Sequence, residues 1–279
     1  MQGWRMGMED AKLCEIEIPD NAMCFGVFDG HGGREVAVFV AKHFCAELLA
    51  NEHYKNGNIE IALQETYMRM DEKLRSKEGQ QELVRIQRGL PDNYSVSVEN
   101  AESLAGCTAV AALVKDSKLH VANAGDSRCV LARGGKAVEM TVDHKPDNEH
   151  EHNRIVRAGG YVEDGRVVGN LNLSRSIGDL EYKKNPDIPA QDQMITAFPE
   201  VKVETITQDS DFMILACDGI WDMLSNQQCV DIVYEGLRAQ KELSDIVEGI
   251  LDRCLASDVA SSGGLGCDNM TCIIVKFNH

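Results

Sequence analysis

Five acidic positions stand in short glycine-rich or polar turns, four of them at the edge of an apolar run. They are Asp29 in DGHGG, Asp126 in AGDSR, Asp218 in DGIWD, Asp268 in CDNMT, and the adjoining Glu9 and Asp10 near the start. The end of a strand is a rigid platform, and carboxylates on several such platforms can converge on one point. Converging oxygen ligands with no matching cysteine or histidine set suit a hard divalent cation, Mg²⁺ or Mn²⁺. Each position alone also reads as an ordinary turn or an acidic surface pair. The repetition of acid after strand, with glycine beside most copies, is what points to a metal-dependent hydrolase acting on phosphate.

Other residues fit that chemistry. Gly30 lets its backbone carbonyl approach an ion that Asp29 could bridge to a second one. His31 stands beside them with a side chain that titrates near neutrality and can hand over a proton. Arg5, a few residues before Glu9, offers a planar fork matching two phosphate oxygens. Two cations about 4 Å apart would lower the pKa of a shared water and offset charge as that water attacks in line. No C-x5-R loop occurs, which disfavours a cysteine-nucleophile phosphatase.

The apolar pattern supplies the platforms. Met23–Phe28 predicts a buried strand stopping at Asp29. Glu35–Ala50 and Ile59–Leu74 predict helices, with Val36, Val40, Phe44 and Leu48 on one face of the first. The polar segment from Ser76 to Leu104 predicts a partly mobile connection. Cys107–Val114, Lys118–Ala124, Ser127–Ala132 and Ala137–Val142 read as four strands whose short links permit only antiparallel neighbours. Asp147–Ala158 predicts a helix capped by Asp147. Gly159 to Glu200 is glycine- and proline-rich and predicts two short strands and a surface excursion. Phe212–Cys217 is a further buried strand ending at an aspartate. Two amphipathic helices follow, the first with a capping box from Ser225 to Gln228. Met270–Phe277 is the last strand. Helix pairs occurring twice among strands indicate α+β layering: two antiparallel sheets with helices outside.

Bulk properties narrow the partners. The chain has 279 residues, 43% of them hydrophobic, and a formal net charge of -17, which argues against nucleic acid as the main partner. The ten cysteines never form C-x-x-C, and several lie inside apolar runs, so they read as small buried hydrophobes in a reducing compartment. No long apolar span or secretory signal is visible, so the expectation is a cytoplasmic or nuclear protein without membrane contact, and a monomer.

Ordered motifs across nearly the whole chain resemble those of metal-dependent protein serine/threonine phosphatases, type 2C. They are MQGWRMGMEDA (Met1–Ala11), FGVFDGHGG (Phe25–Gly33), CTAVAALV (Cys107–Val114), ANAGDSR (Ala122–Arg128), DHKP (Asp143–Pro146), NRIVRAGG (Asn153–Gly160), LNLSRSIGD (Leu171–Asp179), FMILACDGIWD (Phe212–Asp222) and DNMTCIIV (Asp268–Val275). The resemblance implies one catalytic domain over residues 1–279, a central β-sandwich of two antiparallel sheets flanked by pairs of antiparallel helices, and phosphorylated proteins as substrates. It implies two Mg²⁺ or Mn²⁺ ions held by Asp29, Gly30, Asp218 and Asp268, with Glu9 and Asp10 acting through water. It makes Arg5 the phosphate-binding residue and His31 the general acid, and gives a water shared by the two ions as the direct nucleophile. Asp126, and Asp222 beside or behind it, would serve a weaker third ion, and residues 180–200 would be a flap beside the cleft. Members of the family commonly carry a further strand before MQGWR, so Arg5 is expected near a frayed terminus. Two other readings stay open: a non-catalytic regulatory module on the same fold, and a two-metal phosphodiesterase.

Overall fold

The structure, a computed structural model, describes residues 1–97 and 103–278. Strands β1 (Ala11–Ile18) and β2 (Ala22–Phe28) form a hairpin in which Ala11 faces Phe28. Helices α1 (Glu35–Ala50), α2 (Ile59–Arg75) and α3 (Lys77–Arg88) follow. Then comes the meander β3 (Ala109–Lys115), β4 (Lys118–Ala124), β5 (Arg128–Arg133) and β6 (Lys136–Glu139). After α4 (Glu149–Arg157) and a long irregular stretch come β7 (Glu200–Thr205) and β8 (Ser210–Ala216). Helices α5 (Asn226–Arg238) and α6 (Leu243–Cys254) precede the last strand, β9 (Cys272–Lys276).

One sheet has the order β1-β2-β3-β4-β7 and the other β9-β8-β5-β6, all pairs antiparallel. The two-residue period of a strand decides what each sheet face meets. On β2, Phe25 and Val27 point into the sandwich, whereas Cys24 and Phe28 point to the helices. On β8, Met213 and Leu215 point inward, and Phe212 and Ile214 meet α5 and α6. Both faces of these strands are therefore apolar, and each fully buried large side chain stabilises the fold by about 1.5–3 kcal/mol. Phe44 of α1 packs edge-on against Tyr67 of α2 at 5.3 Å, and the Tyr67 hydroxyl donates to the Ala122 carbonyl at 2.8 Å, fastening the helix layer to the sheet. The α+β sandwich with helices on both outer faces is the expected architecture. Among the described residues, no helix is long and apolar enough to cross a membrane.

Two local expectations are corrected, and one strand was not foreseen. The segment after Ser76 is not a loose connection over its first part: Ser76 caps α3 by accepting from the Gly79 amide, and α3 runs to Gly89, whose left-handed backbone ends it. The remainder of that expectation, at 98–102, lies outside the described residues. Strand β1 is absent from the predicted elements because of its eight residues only Leu13 is buried. Helix α4 is entered through Asn148, not Asp147.

The irregular stretch is rooted by a buried brace. Glu151 of α4 accepts from Arg154 at 2.5 Å, from Arg175 at 2.6 Å and from the Ser174 hydroxyl at 2.7 Å. Arg154 also donates to the Gln193 carbonyl and Arg175 to that of Phe198, so the later part of the 180–200 segment is tied to one carboxylate. Burial pushes the Glu151 carboxyl up, but the two guanidiniums outweigh it and hold it well below the usual range.

Candidate active site

At one end of the sandwich the chain opens into a cavity of about 450 Å³ lined by Arg5, Glu9, Asp29, Gly30, His31, Asp126, Asp218 and Asp268, among others. Asp29 follows β2 directly, Asp218 follows β8, Asp126 sits in the β4–β5 turn, and Asp268 lies just before β9. Strands of both sheets thus deliver acids to one place. Gly30 cannot be replaced there: a Cβ would come within 2.4 Å of the Glu9 carbonyl.

Asp10 lies behind the wall and is buried. Its Oδ2 accepts from the Thr271 hydroxyl at 2.7 Å and from the Cys217 thiol at 3.4 Å. Its Oδ1 has no hydrogen-bond partner among the described residues. Ligand atoms of Asp10, Asp29 and Cys217 lie within 4.8 Å of one another. Burial, with the charges of Asp10 and Asp29, pushes the Cys217 thiol well up, so it stays a neutral donor holding Asp10.

Electrostatics mark the acids as a set. Burial first, then the charges of Asp10, Asp218, Asp126 and Asp268, raise the Asp29 carboxyl well above its ordinary value. Burial together with Asp126, Asp222 and Asp268 raises Asp218 to about 7. Desolvation likewise raises Asp10. Carboxylates crowded like this repel one another unless positive charge joins them. An unpartnered buried oxygen and several mutually raised acids are what a divalent cation with oxygen ligands fits.

Arg5 does not fray. The Met1 ammonium donates to the Met270 carbonyl at 2.5 Å, the Trp4 indole donates to the Ala256 carbonyl at 2.9 Å, and Arg5 pairs with Asp268 at 2.7 Å. Asn269 completes the clamp, accepting from the Glu9 amide and donating to the carbonyls of Gln2 and Gly7. His31 is bonded to Asp179, the last residue of the LNLSRSIGD stretch. Burial lowers the His31 imidazole, yet the hydrogen bond and charge of Asp179 outweigh it and leave it raised. Asp126 is buried and ion-paired with Lys145. Asp222 does not line the cavity; it stands near Lys145 and Arg128, its carboxyl raised chiefly by burial.

A family profile described as "Protein phosphatase 2C" matches residues 1–263. The chain belongs to the protein phosphatase 2C family. It is 49% identical over 279 residues to "Probable protein phosphatase 2C 3" of Paramecium tetraurelia, covering 99% of this chain and 89% of that one. It is 42% identical over 303 residues to "Probable protein phosphatase 2C 21" of Arabidopsis thaliana, covering 99% of this chain and 85% of the relative. A solved structure titled "Crystal structure of serine-threonine phosphatase 2C from Toxoplasma gondii" superposes with a TM-score of 0.75 at 24% identity, covering 99% of this chain and 92% of that chain. Membership makes the chain a protein phosphatase by family; the family is metal-dependent, and the acidic cavity holds a candidate site for a metal.

Proposed function

We propose that this protein hydrolyses phosphoserine and phosphothreonine in proteins with two Mg²⁺ or Mn²⁺ ions. The observation that carries the reading is the convergence of Asp29, Asp218, Asp268 and Glu9 with Arg5 and His31 on one cavity, with the orphaned Asp10 oxygen behind. The serine-threonine phosphatase of Toxoplasma gondii shares the fold, which supports the substrate class. Asp29, Asp218, Asp268 and the Gly30 carbonyl would hold the ions, with Glu9 and Asp10 supporting through water. When bound, the ions supply a water nucleophile at neutral pH and offset charge on the phosphoryl group.

The protein's own groups do the rest. Arg5, exposed at the cavity rim and paired with Asp268, turns its guanidinium to the phosphate oxygens as substrate enters. His31 gives its proton to the departing serine or threonine oxygen, which would otherwise leave as a strongly basic alkoxide. Asp126 serves a weaker third ion only in competition with Lys145, and Asp222 stands behind it. We treat residues 1–279 as one catalytic unit, with 180–200 as the flap beside the cleft.

The test is hydrolysis of a phosphoserine peptide against Mn²⁺ and Mg²⁺ concentration. Activity is expected to need the ion, to vanish with EDTA, and to be lost in Asp29→Asn and Asp218→Asn. Retained activity in both variants would sink the assignment.

A further inference from the structure

Three chain segments far apart in sequence meet beside the cavity as a small antiparallel sheet. Gly30–His31 pairs with Gly106–Cys107, which pairs with Ile177–Gly178. In this register His31 and Gly178 flank Gly106 on its two sides. The residue after Gly178 is Asp179, and its carboxylate reaches across to His31: Nε2 to Oδ2 is 2.8 Å. The same Oδ2 accepts from the Ser176 hydroxyl at 2.5 Å. His31 is partly open to the cavity, whereas Asp179 is buried.

The surroundings are shaped around this contact. A Cβ at Gly106 would come within 2.2 Å of Asp179 Oδ2 and 2.6 Å of His31 Nε2, so glycine leaves the room the pair occupies. Asp179 itself has φ 48°, in the left-handed region where an ordinary side chain is strained. The turn that carries it is held from α2: Asp71 accepts from the Gly178 amide at 2.8 Å and pairs with Lys183 at 2.5 Å. Lys183 also donates to the Ser176 carbonyl at 2.8 Å. A strained residue fixed by a buried ion pair, with its carboxylate on a cavity histidine, is a built arrangement.

We propose that Asp179, held by Ser176 and by the Asp71–Lys183 pair, is the positioning residue for His31, fixing its Nε2 so that Nδ1 presents the proton to the leaving oxygen. The proposal rests on the reading of His31 as leaving-group acid. In the step it serves, water adds its oxygen to phosphorus and the P–O bond to the substrate breaks with its electron pair on the serine oxygen. That oxygen takes the His31 proton, and a proton from the attacking water replaces it.

The test compares two substrates at saturating Mn²⁺: a phosphoserine peptide, whose leaving oxygen needs a proton, and 4-nitrophenyl phosphate, whose leaving group does not. Asp179→Asn is expected to lower kcat on the peptide by ~10–100-fold and on the aryl ester by less than ~3-fold, as loss of acid catalysis would. His31→Gln should show the same split, and adding Asp179→Asn to it should change little, because the two residues act as one unit. Ser176→Ala, a milder change that leaves the buried charge in place, should lower the peptide rate alone by a few-fold. Equal loss on both substrates in Asp179→Asn or in Ser176→Ala, or losses that multiply in the double variant, overturns the proposal. A His31→Gln variant without the split overturns the acid role itself, and the positioning role with it. Absence of ion-dependent hydrolysis in the unaltered chain rejects the functional reading instead.

Discussion

Two sets of desolvated acids behave in opposite ways. At the cavity, Asp29 and Asp218 have carboxylates as their nearest charges, and both are pushed up. Beside the 180–200 segment, Glu151 is buried between Arg154 and Arg175, and it is pushed down. Burial alone would raise all three. The sign of the difference therefore reports what each acid is for. Glu151 is balanced by the chain itself and, through its two arginines, ties residues 193–198 to α4. Among the described residues, the basic groups beside the cavity acids are Arg5, Lys145 and the His31 imidazole. Acids kept together at such an electrostatic cost fit the proposed partnership with a bound ion.

The largest expected effects separate the sets by function. Asp29→Asn or Asp218→Asn should lower phosphopeptide hydrolysis by at least ~10³-fold, measured as kcat/KM at saturating Mn²⁺. In EDTA the same variants should unfold at a temperature equal to or above that of the unaltered chain, because one repelling charge is gone. Glu151→Gln should do the reverse. It leaves two buried guanidiniums without their carboxylate and should cost about 3–5 kcal/mol in urea unfolding. A Glu151→Gln chain of unchanged stability would mean that the brace does not hold the 180–200 segment.

The contrast extends to pH, with opposite signs. In EDTA, Asp218 titrates at about 7 in the folded chain against an ordinary value of 3.8. Between those values the folded state holds the extra proton, so stability falls as pH rises from about 4 to 7. Glu151 is lowered, so its contribution is present above its ordinary carboxylate value and is lost as pH falls below it. Melting in EDTA should therefore drop by several degrees, roughly, as pH rises through that window. Added Mn²⁺ should flatten the slope and leave the acid limb in place. A slope unchanged by Mn²⁺ would detach Asp218 from the ion.

Much of the first set was legible in the sequence and little of the second. Asp29 and Asp218 follow apolar runs long enough for periodicity to show, so the strand end and the acid could be read together. The brace joins Glu151 to Arg175 across 24 positions, and nothing in either local pattern points to the other. Two-residue strands such as Gly106–Cys107 and Ile177–Gly178 are too short for any period, which is why the contact between His31 and Asp179 was invisible. Helix α3 escaped for another reason: only Gly79, Leu83 and Val84 of its twelve residues are buried, so its apolar stripe is too narrow to stand out in a polar segment. Strand β1 is an edge strand with exposed charges at Lys12, Glu15 and Glu17, and its pairing with β2 is made by the backbone.

Asp126 lies between the two sets and gives the finest test. Like Asp218 it lines the cavity, and like Glu151 it has a cation of its own, Lys145. The lysine side chain is 41% exposed, so the pair is screened by water and worth about 1 kcal/mol or less. Lys145→Gln would turn Asp126 into a member of the unbalanced set. Two small shifts should follow. Melting in EDTA should fall by a few degrees at most, since one more carboxylate repels Asp218. The Mn²⁺ concentration giving half-maximal activity should fall by less than ~5-fold, because the lysine no longer competes for the Asp126 oxygens. A rise in that concentration would instead make Lys145 a group that helps to assemble the ion site, and Asp126 would then belong with Glu151.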